Sequence, residues 1–250
     1  MTPRLGLMAA LPDELAALTA HLQAPTLEQW GGRTFHLGRL SGQPVVLVLS
    51  GIGKVASAAT AALLCDRYAV SSLIFTGVAG GLAPGVKVGD VVVAQSTLQH
   101  DLDVSPLFPR WVVPSSGRSH YAADALLVQV LQAGAQQVLA QAHPALSAFG
   151  VTSPRLHTGL IVSGDRFVST AAESQALRST LPDALAVDME SASVAQVAAD
   201  FGRPFAALRS ISDRADDLAH VDFPRFLRDV AAPYAHDIVS AALARLAPGP

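Results

Sequence analysis

Several short runs of this chain are apolar almost throughout, not at alternate positions. Leu5–Ala10, Pro44–Ser50, Leu73–Thr76 and Val91–Gln95 are the clearest. A strand with one wet face alternates apolar and polar residues, so continuous apolar runs mark strands covered on both faces. Thr34–Leu40, Leu156–Val162, Leu185–Val187 and Phe205–Ile211 read as further strands. Between these lie helical patterns, many rich in Ala, at Pro12–His21, Lys54–Arg67, Ala122–Ala140, Ala171–Ser179, Glu190–Phe201 and Phe223–Leu246. The alternation predicts a three-layer α/β fold, a central mixed twisted sheet flanked by helices. The length of 250 residues suits one domain over 1–250, with no internal repeat and no low-complexity linker.

One segment breaks the rhythm. From His100 to Tyr121 the chain carries Pro106, Pro109, Pro114 and Gly117 among Phe108 and Trp111. A Pro- and aromatic-rich loop this long inside a compact domain has a reason to exist. It either folds on its own small core at the surface or forms a subunit interface that borders a site.

Composition removes several classes of function. Half the residues are hydrophobic, 15% are charged and the net charge is −3, which is not the balance of a disordered chain. No basic stripe interleaves with aromatics, so nucleic acid is not an expected partner. The single cysteine, Cys65, excludes an intramolecular disulfide and suits a reducing compartment. Leu5–Ala10 is too short for a signal-peptide core, and no apolar run reaches membrane-spanning length. The expectation is a cytoplasmic protein without a membrane partner. The eight histidines are scattered, without the paired spacing of a zinc site, so neither metal nor cofactor is expected.

Five motifs sit where strands give way to turns or helices, and each has a plain structural reading. Ser50-Gly51-Ile52-Gly53-Lys54-Val55-Ala56 is not a phosphate-binding P-loop, because Val48 and Val55 stand where Gly and Ser or Thr are needed. It matches a dinucleotide fingerprint loosely, but Ser71 and Ser72 stand where the acidic partner belongs. Otherwise it is a tight strand-to-helix turn. Thr76-Gly77-Val78-Ala79-Gly80-Gly81 closes a strand with glycines that let a ligand reach the backbone, or it is simply a turn. In Val187-Asp188-Met189-Glu190 the carboxylates can accept hydrogen bonds from ligand hydroxyls, or they cap a helix. Ser212-Asp213 ends an apolar strand, where partial desolvation would raise the acid and suit it to donate a proton. Its plain reading is again a cap. Glu14 follows Pro12 in a first helical turn, as a base or as an acid favourable to the helix dipole.

Taken in order, these segments resemble the purine nucleoside phosphorylase and uridine phosphorylase superfamily. Within it they resemble the hydrolytic branch, the methylthioadenosine/S-adenosylhomocysteine nucleosidases. The resemblance runs from Leu5 to about Leu227 and is weakest over 100–155. Ser50–Val55, Thr76–Pro84 with Val88-Gly89-Asp90, Gly159–Phe167, Met189-Glu190 and Ser212-Asp213 carry it. The resemblance implies that Asp213, with Ser212 beside it, protonates a departing adenine at N7, and that Glu14 deprotonates the attacking water. It places the purine against Val78, Ala79 and Gly80, with Phe167 stacking on it and Val168 offering its backbone. Glu190 would bind the ribose, Met189 would lie against the sugar, and Asp188 takes a place where a Glu is common. Ile52 and Phe223 would border the ribose and its 5′ substituent.

A small purine nucleoside is therefore the expected partner, together with a homodimer in which the 100–155 region lends residues to the neighbouring site. This chain departs from the pattern at Leu11, Pro12, Val78 and Asp188. Three other readings stay open: hydrolysis of another nucleoside such as futalosine, a phosphate-dependent phosphorylase, and a protein that binds nucleosides or dinucleotides without catalysis. Against the phosphorylase, the N-terminal loop ends on Glu14, whose charge would repel phosphate.

Overall fold

A computed structural model describes residues 4–141, 144–215 and 223–246. The chain runs β1 (Leu5–Ala9), α1 (Pro12–Thr19), β2 (Gln23–Trp30), β3 (Arg33–Leu40), β4 (Gln43–Leu49) and α2 (Lys54–Asp66). It continues with β5 (Ser72–Gly81), β6 (Val91–Gln99), β7 (His120–Ala122), α3 (Ala125–Leu139), α4 (Pro144–Ser147) and β8 (Leu156–Ser163). The remainder is α5 (Ala171–Thr180), β9 (Ala184–Asp188), α6 (Ser191–Asp200), β10 (Phe205–Asp213), α7 (Phe223–Phe226) and α8 (Ala232–Leu243), with one π-helical turn at Leu227–Ala231.

The expected mixed sheet is present, and it also closes on itself. β4, β1, β5 and β10 lie side by side and parallel. β10 then pairs with β6, β6 with β8, β8 with β9, and β9 returns to β5 through Gly80 and Gly81. Every residue of β1 is buried. Leu5 and Leu7 pack into one apolar cluster with α8 and α3, while Met8 packs into a second with α2 and α6. Val45 and Leu47 split from Val46 and Val48 in the same way. This two-sided burial is why these strands lack alternation, and each such side chain stabilises the fold by about 2 kcal/mol.

Three elements depart from the sequence expectation. β2 was not foreseen: Gln23–Trp30 is an edge strand, mostly exposed, with an irregular register between Gln23 and Thr26 around Pro25. Edge strands tolerate Pro and polar residues, which hide them from a search for apolar runs. The 100–121 segment is irregular until β7, which takes its last residues, so α3 begins at Ala125 and not at Ala122. The expected helix Phe223–Leu246 is interrupted by the π turn. Pro233 lies in the first turn of α8 and has no N–H to continue an α ladder, and the wider turn just before it absorbs the loss.

Candidate active site

β1, β4, β5 and β10 end on the same edge, and the ring closure brings the ends of β8 and β9 beside them. There a cavity of about 370 Å³ opens, within the size range of small-molecule sites. Ile52, Val78, Ala79, Gly80, Phe167, Val168, Asp188, Met189, Glu190, Ser212, Asp213 and Phe223 all line it. Ala10, Leu11, Gly77, Arg166, Val187 and Arg209 line it as well.

The glycines of Gly77–Gly81 do not form a turn; they are strand, the last half of β5. A Cβ on Gly77 would lie 3.0 Å from Arg209 Nη1 and 3.2 Å from Glu14 Oε1. One on Gly80 would lie 2.9 Å from the Ala215 Cβ and 3.0 Å from Asp213 Oδ1. Glycine here lets side chains from β10 and α1 lie directly on the strand's backbone.

Glu14 is fully buried and sits just outside the cavity lining. As the third residue of α1 it folds back, so that Oε2 accepts the N–H groups of Ala10 (3.1 Å) and Leu11 (3.0 Å). That is half of a capping box. Its Oε1 has no hydrogen-bond partner among the described residues. Burial raises the Glu14 pKa from 4.5 to about 7, against the lowering effect of the Leu11 N–H, Arg209 and the Ala10 N–H. Glu190, its Oε1 held by the Gly53 N–H at 2.8 Å, is also raised, first by burial and then by Asp188.

Arg209 is the counter-charge to this group. It pairs with Gly77 across β5 and β10 and is 1% exposed. Its Nε donates to Asp188 Oδ2 at 2.8 Å, its Nη1 points to the Phe75 and Leu208 carbonyls, and the guanidinium lies 4.2 Å from the Phe75 ring centre. Its Nη2 has no partner among the described residues. The sequence reading gave Arg209 no role, although a lone cation inside the apolar run Phe205–Ile211 was a visible signal. Asp188 borders the cavity, but its oxygens are engaged inward, by Arg209, Ser163 (2.5 Å), the Ser191 hydroxyl and the Glu190 and Ser191 N–H groups. It orients Arg209 and the start of α6, which is closer to the capping reading than to contact with a ligand hydroxyl. Asp213 Oδ1 accepts the Ala215 N–H at 2.7 Å and Oδ2 accepts the Ser212 hydroxyl at 2.7 Å. Phe167 meets Phe223 edge-on, ring centres 6.4 Å apart.

The raised Glu14 pKa has a measurable consequence. The folded state holds that proton more tightly than the unfolded chain does. The resulting stabilisation is complete below about 4.5 and is lost as pH rises through about 7, amounting to about 3 kcal/mol. His36 and His100, lowered by burial, act in the opposite sense over part of this range. The readout is therefore the difference between wild type and Glu14→Gln in thermal unfolding. Wild type should lose stability relative to the variant as pH rises, and parallel curves would refute the assignment.

Comparison with known proteins places the chain. Residues 4–244 match the phosphorylase superfamily, and the chain belongs to that superfamily. Among the solved structures it resembles are several nucleosidases. The 5′-methylthioadenosine/S-adenosylhomocysteine nucleosidase of S. pneumoniae is 34% identical, with 98% of this chain and 100% of that one covered and a TM-score of 0.85. The corresponding enzyme of Colwellia psychrerythraea, solved with adenine, is 31% identical over 100% and 98%, with a TM-score of 0.89. The futalosine hydrolase of Helicobacter pylori is 30% identical over 98% and 99%, with a TM-score of 0.85. Among the described residues no three His, Cys, Asp or Glu are grouped to hold a metal ion. No helix there is long and apolar enough to cross a membrane.

Proposed function

We propose that this chain hydrolyses the N-glycosidic bond of 5′-methylthioadenosine and S-adenosylhomocysteine, releasing adenine and the 5′-substituted ribose. The observation that carries the choice of water is the pair of buried, unpartnered atoms Glu14 Oε1 and Arg209 Nη2, both belonging to side chains that lie against Gly77. A water between them would donate to the carboxylate and accept from the guanidinium. Phosphate would instead meet the carboxyls of Glu14 and Glu190, while Arg209 is engaged by Asp188 and Arg166, at the rim, by Glu173.

In this reading Asp213 gives a proton to N7 of the purine as the bond to the sugar breaks and its electrons leave with the base. The sugar is left as an oxocarbenium-like cation. Glu14 takes a proton from the water that attacks the sugar carbon from the opposite face, as a base does in an inverting glycosidase. Glu190 holds the ribose hydroxyls with Met189 against the ring. Phe167 covers the base, the Val168 backbone reads its edge, and Ile52 and Phe223 face the 5′ group. The test is base release from methylthioadenosine, S-adenosylhomocysteine and futalosine, each with and without phosphate. Turnover of the first two without phosphate is the expected result, and strict dependence on phosphate would overturn it. A preference for futalosine is the second reading, motivated by a TM-score to the futalosine hydrolase that equals the one to the S. pneumoniae nucleosidase.

The active unit in this proposal is a homodimer. Leu107 is 84% exposed and Val55 81%, and Phe108 is also exposed. Lys54 bonds to Asp101, so the first turn of α2 adjoins the start of the irregular 100–119 segment. A second copy covering these side chains would bury an apolar patch of the kind that marks interfaces. Light scattering should give twice the 25.9 kDa of one chain, and a monomer at assay concentration would exclude the dimer.

A further inference from the structure

Beside the cavity, three residues that do not line it close a ring of hydrogen bonds. The Lys54 backbone N–H donates to Asp165 Oδ1 at 2.7 Å. The Asp165 N–H donates to Asp101 Oδ2 at 2.8 Å. The Lys54 ammonium completes the circuit on Asp101 Oδ1 at 2.6 Å. Each comes from a different part of the fold: Lys54 opens α2, Asp101 follows β6, and Asp165 follows β8. β6 and β8 are in parallel register as far as Gln99 and Ser163, so their continuations leave the sheet together.

Glycines make the approach possible. Gly53 has φ +92°, and a Cβ there would stand 3.0 Å from Asp165 Oδ1. A Cβ on Gly164 would overlap the His100 ring. The consecutive amides of Gly53 and Lys54 hold two carboxylates, Glu190 in the cavity and Asp165 beside it.

The ring has a geometric effect on the cavity. Ile52 lies two residues before Lys54, and Phe167 lies two residues after Asp165. Both line the cavity, and both are about half exposed, so neighbouring side chains alone hold them weakly. We infer that the Lys54–Asp101–Asp165 ring is a positioning device that fixes the gap between Ile52 and Phe167 and so the grip on a purine nucleoside. The inference rests on the functional reading above. None of the three lines the cavity, so the ring acts on binding and not on the bond-breaking step. Asp101 also leads into the 102–119 segment, so the same ring ties the base-covering loop to that segment.

An isolated exposed ion pair contributes little. Asp101 carries more than a pair, because its removal also frees the Asp165 N–H. Asp101→Ala should raise KM for methylthioadenosine about fivefold with kcat within about twofold. Amide exchange across 163–169 should rise in the same variant, and Asp101→Glu should recover part of both effects. Thermal unfolding checks that the variants are folded. Lys54→Met, which breaks the ring from its other side, decides the matter if Asp101→Ala is not folded. A wild-type KM with wild-type exchange in a folded variant, or a fall in kcat at unchanged KM, overturns the inference. If the wild-type chain neither hydrolyses any of the three nucleosides nor binds adenine, the functional reading fails. Exchange across 163–169 still judges the ring, since it needs no turnover: a rise supports its positioning role and no change overturns it.

Discussion

Asp213→Asn is expected to lower turnover of methylthioadenosine by roughly a hundred- to ten-thousand-fold, the usual cost of losing a general acid. Binding should be largely kept. Asn has the same shape, and its oxygen can still accept the Ala215 N–H that now holds Oδ1. The Ser212 hydroxyl, which now donates to Oδ2, can turn and accept from the new amide. What the variant lacks is a proton it can give to the departing base. Steady-state kinetics and adenine calorimetry together read this split. Unchanged turnover would remove Asp213 from the mechanism.

Arg209→Met should act on stability as well as rate. The guanidinium bonds Asp188 directly and lowers the pKa of both Glu14 and Glu190. Met fills much of the same volume but leaves these buried carboxylates without their cation. Breaking a buried pair from one side costs about 3–5 kcal/mol. The pH at which Glu14 ionises would also move upward, shifting the rising limb of the rate profile to higher pH. Denaturant unfolding and a pH–rate curve measure the two effects. A loss of stability below about 1 kcal/mol would show that the site tolerates the uncompensated charges. Arg209→Lys should recover only part of the loss, because an ammonium cannot reproduce the planar set of contacts with Asp188 and the two carbonyls.

The strands that build the central sheet were legible because burial on both faces leaves a continuous apolar signature, as in Leu5–Ala9 and Val45–Leu49. β2 left no such trace, since an exposed edge makes few demands on its side chains. The structure brings the strand-end motifs together around one cavity at a single edge of the sheet. The assembly they form was not visible in any of them singly. Arg209 acquires its meaning from carboxylates 195, 21 and 19 positions away in sequence, at Glu14, Asp188 and Glu190. Only the register of β10 against β5 shows that its side chain crosses Gly77 to reach them. Glu14 illustrates the same point. Its cap is readable from Pro12 and its place in the first turn, whereas the second, unpartnered oxygen depends on what α1 packs against.

The glycine half of β5 bears on how such a pocket can change. Its floor is main chain with Glu14, Arg209, Asp213 and Ala215 packed close against it, so a side chain at Gly77 or Gly80 would crowd these groups before it could reshape the pocket. The rim is different: Ile52 and Phe167 stand half in solvent, and Phe223 meets Phe167 only edge-on. Diversity in ligand shape should accumulate around that opening while the main-chain floor stays fixed. A combinatorial library for new 5′ substituents therefore belongs at positions 52, 167 and 223, with the glycines of β5 left untouched.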